Sequence, residues 1–320
     1  MRPTSKRNKD ALGLKSGGIR FQRDKGQHIL KNPLVIQCIV EKAGIKPIDT
    51  VLEIGSGTGN LTMKLLEKAK KVCAFELDPR MVAELQKRVQ YTPYRSKLEI
   101  TVGDVIKATN WPKFDLCVAN LPYQISSPFI GRLVTIQHHF RAVVVMLQKE
   151  FADRLLAQPG SKVYCRLSAN AQFHFKIAQL LKVSRNSFKP PPRVDSAVLR
   201  IEPRHPKPPV SFSEWDGFLR LVFHRKNKTV ASNLKADATI ALLRKNYLTL
   251  LETRKEGEDK PAPDPPEISE AGAVGLEAMA LKVRHILQSS GFESSRARTM
   301  DEDDLLRLLL AFRKEGIPFA

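Results

Sequence analysis

Between Thr50 and Asn60 an apolar run, Thr50 to Ile54, ends in glycines at every second position (Gly55, Gly57, Gly59), and helical spacing begins at Asn60 and continues to Lys68. A strand that stops in a glycine turn and re-emerges as a helix opens a strand–helix–strand unit, and this restricts the chain to few architectures. The pattern then repeats. Lys71 to Glu76 reads as a strand, and Asp78-Pro79 supplies an N-cap followed by proline at the first helical position. Leu98 to Val102, Phe114 to Ala119 and Arg141 to Leu147 are further strands. The run Ala142-Val143-Val144-Val145-Met146-Leu147 is apolar throughout, as expected of a strand buried on both faces. The expectation is a doubly wound α/β sheet. Two late strands, Gln172 to Val183 and Ala197 to Ile201, have no clear helix between them and predict an antiparallel edge.

The pattern changes at Pro203 to Pro209, which is Pro-rich and basic and marks a domain boundary. Beyond it helices are expected over Trp215 to Phe223, Val230 to Lys245, Leu276 to Ser290 and Glu302 to Arg313, with Thr299 and Glu302 at capping-box spacing. The segment 252–275 is rich in charge, proline and small residues and reads as a disordered insert. Residues 1–25 carry eight Lys or Arg against two Asp, which suggests a flexible basic arm: a solubilising tail, an RNA-contacting or nuclear-targeting segment, or a transit peptide, the last disfavoured by Asp10 and Asp24. The expected organisation is therefore an arm over 1–25, an α/β domain over 26–203 and a smaller α-helical domain over 204–320.

A formal net charge of +20 in 320 residues implies a polyanionic partner. Cys38, Cys73, Cys117 and Cys165 form no CxxC pair, so no metal is expected, and their usage suits a reducing compartment. No apolar run approaches the roughly 18 residues of a membrane span, so no membrane partner is expected.

The glycine turn lets a ligand approach the backbone closely. Glu76, about 20 positions on and ending the next strand, is placed to accept hydrogen bonds from both hydroxyls of a ribose. Asp104, in Gly103-Asp104 after the third strand, suits an adenine amino group. A dinucleotide would call for Gly or Ala at the sixth place of the turn, where this chain has Asn60. S-adenosyl-L-methionine has no pyrophosphate, and its cationic sulfonium suits a pocket with acids nearby.

The fourth strand runs into Asn120-Leu121-Pro122-Tyr123. An amide, a backbone carbonyl, a stiffening proline and an aromatic face make a site for a planar base with an exocyclic amino group. The Asn120 oxygen and the Leu121 carbonyl are candidate acceptors for the two amino hydrogens. Tyr123 would stack on one face of the base and Phe188, from an exposed Pro-rich lip, on the other, each stack worth roughly 1–3 kcal/mol. Transfer in line from the sulfonium would then rest on positioning, with no general base required. The base must leave its helix to arrive there.

These motifs, in this order, resemble the ribosomal RNA adenine N6,N6-dimethyltransferase family. The likeness runs from Gly26 to the C-terminus and rests on Gly26-Gln27-His28-Ile29-Leu30, Val51 to Thr62, Glu76-Leu77-Asp78, Gly103-Asp104, Asn120 to Pro128 and Phe188 to Ser196. Arg225 to Thr229 and Gly291 to Asp301 are most similar to the eukaryotic small-subunit (18S) branch. Ser56 departs from relatives that often carry proline there. The resemblance implies a Rossmann-like methyltransferase sheet, S-adenosyl-L-methionine as cofactor, and contacts to it from His28, Leu30, Gly55, Glu76, Asp104 and Asn120, with Gln27 and Gly57 beside them. It implies a substrate of two adjacent adenosines near the 3′ end of small-subunit rRNA within an assembling pre-ribosomal particle, with assembly factors as partners, a monomeric protein and residence in the nucleolus and possible passage to the cytoplasm.

Phosphate contacts are expected from Arg193, from Arg225, Lys226 and Lys228, and from Arg296 and Arg298, any of which could instead be a solvated helix face. Three other readings stand beside this one: a non-catalytic RNA-binding assembly factor, an NAD-linked oxidoreductase and a methyltransferase acting on protein glutamine. The first would predict damage to Asn120–Tyr123, the second is disfavoured by Asn60 and the charge, and the third by the aromatic pair and the basicity.

Overall fold

The computed structural model describes residues 15–16, 19–20, 28–136, 139–255 and 275–320, with side chains over 28–136, 139–253 and 275–320. Most of the basic arm, Gln27 and 256–274 lie outside the described residues. Within the arm, Lys15–Ser16 pairs antiparallel with Ile19–Arg20.

Seven strands form one sheet: β1 (Thr50–Ile54), β2 (Lys71–Glu76), β3 (Leu98–Val102), β4 (Leu116–Asn120), β5 (Ala142–Gln148), β6 (Phe175–Val183) and β7 (Ser196–Pro203), in the order β3-β2-β1-β4-β5-β7-β6. The first five are parallel. β7 enters antiparallel between β5 and β6, so the expected antiparallel edge is present. The order reverses between β1 and β4, and a crevice opens at such a switch point beyond the carboxyl ends of the strands.

Local chemistry explains the elements around that crevice. Helix α1 (Pro33–Ala43) starts at Asn32, whose side chain accepts from the Leu34 and Val35 amides, and stops at Gly44 in the left-handed region. Helix α2 (Asn60–Lys68) follows Gly59 at φ 85°, where an added Cβ would sit 2.6 Å from Leu85 Cδ1. Helix α3 (Pro79–Val89) is capped by Asp78 with proline at its start, as the sequence predicts. Helix α4 (Ser126–Thr135) follows β4, and α5 (Lys149–Leu155) follows β5. Ile36, Ile39, Leu61, Leu65, Leu85 and Val89 of these helices are buried in one cluster with Val51, Val118 and Val144 of the strands.

The amino edge of the sheet is fastened by charge. Arg141 reaches both oxygens of Asp49 at 3.0 and 2.7 Å, and Asp115 accepts the Thr50 amide at 2.8 Å. This forked pair ties the chain just before β1 to the chain just before β5, and the Arg141 guanidinium holds the Asp49 carboxyl below its usual range.

The chain divides into two compact units, one of residues 1–153 and 175–203, the other of residues 154–174 and 204–320. The sequence reading assigns the whole of 26–203 to the first, but Arg154–His174 belongs to the second. Its Phe173 stacks on Trp215 at 3.8 Å, and Asn170 bonds Asp216. Gln172 to His174, expected as strand, close helix α6 (Arg166–His174), where the Gln172 side chain donates to the carbonyls of Leu155 and Ala157. The strand begins at Phe175.

The helical unit contains α7 (Phe212–Val222), α8 (Val230–Leu234), α9 (Asp237–Lys255), α10 (Leu276–Ser289) and α11 (Glu302–Lys314). Three expectations are corrected here. The region from Val230 is two helices, because Lys235 and Ala236 break it, and α9 carries the helix through Glu252–Lys255, which the sequence assigned to the insert. The cap of α11 is Asp301, bonded to the Asp304 amide at 2.8 Å, not Thr299. In α7, a Cβ at Gly217 would land on the Phe319 carbonyl oxygen, so glycine is required for the C-terminal segment to pack there.

Candidate functional site

Four of the predicted site residues sit at or just beyond the carboxyl ends of the parallel strands. Gly55 follows β1, Glu76 ends β2, Asp104 follows β3 and Asn120 ends β4. Together they line a cavity of about 440 Å³, within the range of roughly 300–1,000 Å³ for small-molecule sites. His28, Leu30, Gly57, Leu121, Pro122 and Tyr123 complete its lining among the predicted residues.

The two central motifs are packed directly on each other. Gly55 has φ 72°, and its amide donates to the Phe75 carbonyl at 2.8 Å. A Cβ there would lie 3.4 Å from Pro122 Cδ and 3.5 Å from the Asn120 carbonyl oxygen. These are ordinary contact distances, so the Asn120–Tyr123 turn lies against the glycine loop, and it is the positive φ that calls for glycine here. Gly57, at φ 55°, faces open space, so its backbone is accessible to a ligand.

Glu76 is 8% exposed, and its carboxylate is aimed by two backbone amides, Gly57 N to Oε2 at 2.8 Å and Asp78 N to Oε1 at 2.9 Å. Each oxygen has a second lone pair left for a ligand. Asp104 combines two roles: one oxygen accepts the Ile106 amide at 2.9 Å, and the residue lines the cavity. The side-chain nitrogen of Asn120 donates to the His28 carbonyl at 3.2 Å. Only the NH₂ can donate to a carbonyl, so this contact fixes the amide orientation and leaves Oδ1 as a free-standing acceptor.

A single segment roofs this arrangement. Ile29–Leu30 pairs with Phe188–Lys189. The Asn60 amide donates to the Leu30 carbonyl at 2.9 Å, and His28 Nδ1 lies 2.9 Å from the Pro190 carbonyl. Asn60 thus has a positive role that the sequence reading used only to argue against NAD.

Phe188 is a correction. It is 1% exposed, belongs to the core cluster of the first unit and does not line the cavity. Its Pro-rich flank suggests an exposed lip, but pairing with Leu30 turns the ring inward. The aromatic neighbour of Tyr123 is instead His28, with ring centroids 6.1 Å apart and planes 29° from parallel. The Tyr123 hydroxyl is 2.8 Å from Ser196 Oγ, and burial raises its pKa, so it stays a phenol.

The cavity also holds an acid that the sequence reading passed over. Glu53 of β1 is 1% exposed, and its Oε2 has no hydrogen-bond partner. Burial pushes its pKa up to about 8, and the nearby Glu76 charge adds to the rise. The Thr62 hydroxyl opposes it, though neither Thr62 Oγ1 nor Glu53 Oε2 completes a hydrogen bond. Its signal in the sequence is an acid inside an otherwise apolar strand.

The basic residues divide. Arg193, Arg225, Lys228 and Arg296 are exposed, and Lys226 and Arg298 half-buried. Arg225 bonds the Ser232 carbonyl at 2.7 Å and Asn233 Oδ1 at 3.2 Å, and Lys226 donates to the carbonyls of Lys162 and Tyr164 at 2.9 and 3.1 Å. Both therefore brace the helical unit, Arg225 while remaining exposed. The Arg298 carbonyl accepts the Gly160 amide at 2.7 Å.

Residues 18–260 match the family of ribosomal RNA adenine dimethylases. The chain belongs to that family. It is 46% identical over 317 residues to the dimethyladenosine transferase of Saccharomyces cerevisiae, covering 99% of this chain and 96% of that one. It is 48% identical to the ribosomal RNA small subunit methyltransferase of Arabidopsis thaliana, covering 95% and 93%. The crystal structure of a dimethyladenosine transferase from Plasmodium falciparum superimposes with a TM-score of 0.80 at 40% identity, covering 92% of this chain and all of that one. The sheet is thus a Rossmann-like methyltransferase sheet, and the protein is an rRNA adenine dimethyltransferase. Among the described residues no helix is long and apolar enough to cross a membrane.

Proposed function

We propose that this enzyme transfers methyl groups from S-adenosyl-L-methionine to N6 of two adjacent adenosines near the 3′ end of small-subunit (18S) rRNA, giving N6,N6-dimethyladenosine during small-subunit biogenesis. The observation that carries the reading is the fixed Asn120 amide, whose oxygen is left as an acceptor at the edge of a cavity floored by glycine backbone.

The residues present fit the cofactor. Gly57 offers backbone with room for close approach and Gly55 lines the cavity beside it, Glu76 has lone pairs for two ribose hydroxyls, Asp104 suits the adenine amino group, and His28 and Leu30 close the roof. When bound, the cofactor supplies a methyl group activated by a sulfonium. The protein's own contribution is placement. Asn120 Oδ1 and the Leu121 carbonyl accept the two amino hydrogens of the target and draw its nitrogen toward a tetrahedral geometry. Tyr123 stacks on the base. The proton lost after transfer goes to water, because an alkylated ammonium of this kind is strongly acidic. After the first transfer one acceptor loses its hydrogen, and Leu121 in place of the proline of many single-transfer relatives gives the turn slack to accommodate that.

Arg193, Lys228 and Arg296 contact RNA phosphates, with the basic arm adding to the non-specific grip. The enzyme works as a monomer on the pre-ribosomal particle, in the company of assembly factors, in the nucleolus and on particles passing to the cytoplasm. The test is incubation with labelled S-adenosyl-L-methionine and small-subunit rRNA or its precursor particle, followed by mass analysis of nucleosides. Dimethyladenosine at adjacent positions is expected. Monomethyladenosine alone, or label elsewhere, would refute the proposal.

A further inference from the structure

We infer that Ser196 is a positioning residue for the target base, acting through the Tyr123 hydroxyl; the inference rests on the base-stacking role proposed for Tyr123. A ring that stacks on a base must hold its plane while the base arrives. Tyr123 has a stiff entry, because Pro122 precedes it and the short turn Tyr123–Ile125 follows. That fixes the Cα end of the side chain only. The far end is fixed by Ser196 Oγ, 2.8 Å from the phenol oxygen. With both ends held, rotation about the two side-chain torsions is blocked.

Ser196 is suited to this because it cannot itself move. It is 1% exposed and is the first residue of β7, paired with Gln148 of β5 on one side and Val183 of β6 on the other. The residue before it is anchored as well. The Asp195 carbonyl accepts the Lys149 amide at 3.0 Å, and its side chain accepts the Arg185 amide at 2.9 Å. The same loop holds the facing ring, since His28 Nδ1 lies 2.9 Å from the Pro190 carbonyl. One stretch, Phe188 to Ser196, therefore sets the orientation of both rings that flank the entrance. Its influence on the base runs through Ser196 and the Pro190 carbonyl, while the Phe188 ring itself is committed to the core.

The experiment is a double-mutant cycle of Ser196→Ala, Tyr123→Phe and the pair, with three readouts: cofactor affinity by calorimetry, single-turnover methyl transfer, and quenching of 2-aminopurine placed at the target position in a small-subunit rRNA fragment. Ser196→Ala should leave cofactor affinity within twofold, slow transfer about tenfold and weaken quenching. Tyr123→Phe should do the same, and the pair should be no slower than either single variant. Effects that multiply, a loss of cofactor affinity in step with the rate, or a Ser196→Ala enzyme matching the parent would each overturn the inference. Should Ser196→Ala fail to fold, Tyr123→Phe breaks the same bond, and unchanged transfer and quenching in it would be equally fatal. A parent protein that binds cofactor but methylates no adenosine would sink the proposed function and this inference together; an active parent with an indifferent Ser196→Ala would sink the inference alone.

Discussion

Replacing Glu53 with glutamine should flatten the dependence of stability on pH. In the unfolded chain the Glu53 carboxyl titrates near its ordinary value of 4.5, whereas in the folded protein burial raises it to about 8. Between those values the unfolded state has lost a proton that the folded state keeps. Stability therefore falls as pH rises through this window, by up to about 1.4 kcal/mol per pH unit. The contribution is fully present below 4.5 and is lost by about pH 8. A window of about 3.5 pH units sets a ceiling near 5 kcal/mol for a fully buried group. Glu53 lines the cavity, and water reaching that side lowers the penalty, so about 2–4 kcal/mol is expected. Glutamine has the shape of the neutral acid and does not titrate. The variant should match the parent near pH 5 and exceed it near pH 9.

Trp111 is the tryptophan of the first unit and Trp215 that of the second, so urea unfolding followed by fluorescence in a Trp215→Phe background reports on the unit that holds Glu53. Parallel stability curves for parent and Glu53→Gln from pH 5 to 9 would refute the account of Glu53 as a neutral acid. A parent that gains stability on the alkaline side through this residue would reverse its sign.

Asn120→Ala removes both the tie to the His28 carbonyl and the acceptor for the base, so single-turnover transfer should fall by about 10² or more while thermal stability drops by about 1 kcal/mol. Leu121→Pro should accumulate monomethyladenosine, visible by nucleoside mass analysis; unchanged dimethylation would count against the slack argument. Gly217→Ala should cost the helical unit more than about 2 kcal/mol in urea unfolding, because its Cβ meets backbone and not a movable side chain. Lys226→Met should lower the stability of that unit by about 1–3 kcal/mol with little change in the salt dependence of RNA binding, whereas Lys228→Met should reduce the salt slope by about one and leave stability alone.

The contrast between what was legible in the sequence and what was not follows the range of the interactions. The parallel strands were readable because burial on both faces leaves a local signature, an uninterrupted apolar run such as Ala142–Leu147. Asp78 and Pro79 were readable because a cap is chemistry between near neighbours. Asn120–Tyr123 and the glycine turn announced themselves by composition, and the structure adds that they lie against each other at Gly55, whose φ of 72° disfavours any side chain there. Phe188 was misread because its burial depends on pairing with Leu30 across the whole first unit, and a Pro-rich flank says nothing about such a partner. The bonds of Lys226 were illegible for a related reason: charge density marks a segment as basic but cannot tell a free ammonium from one that donates to the carbonyls of Lys162 and Tyr164.

The same distinction explains why so much of the site is built from polar contacts over long sequence separations. Asn60 to Leu30, Asn120 to His28, His28 to Pro190 and Tyr123 to Ser196 link four stretches of chain around one cavity. Each bond is worth only about 1 kcal/mol to stability, far less than burying the leucines beneath them. Their value is directional. Apolar packing sets how close the roof segment and the Asn120 turn come to the glycine loop, but it is indifferent to which atom of an amide faces inward or how an aromatic ring is turned. Methyl transfer depends on both, since an Asn120 amide turned end for end would present a donor where the base needs an acceptor. The hydrogen-bonded lacing therefore matters more to orientation than to folding, and substitutions in it should separate rate from stability more cleanly than any change in the core below.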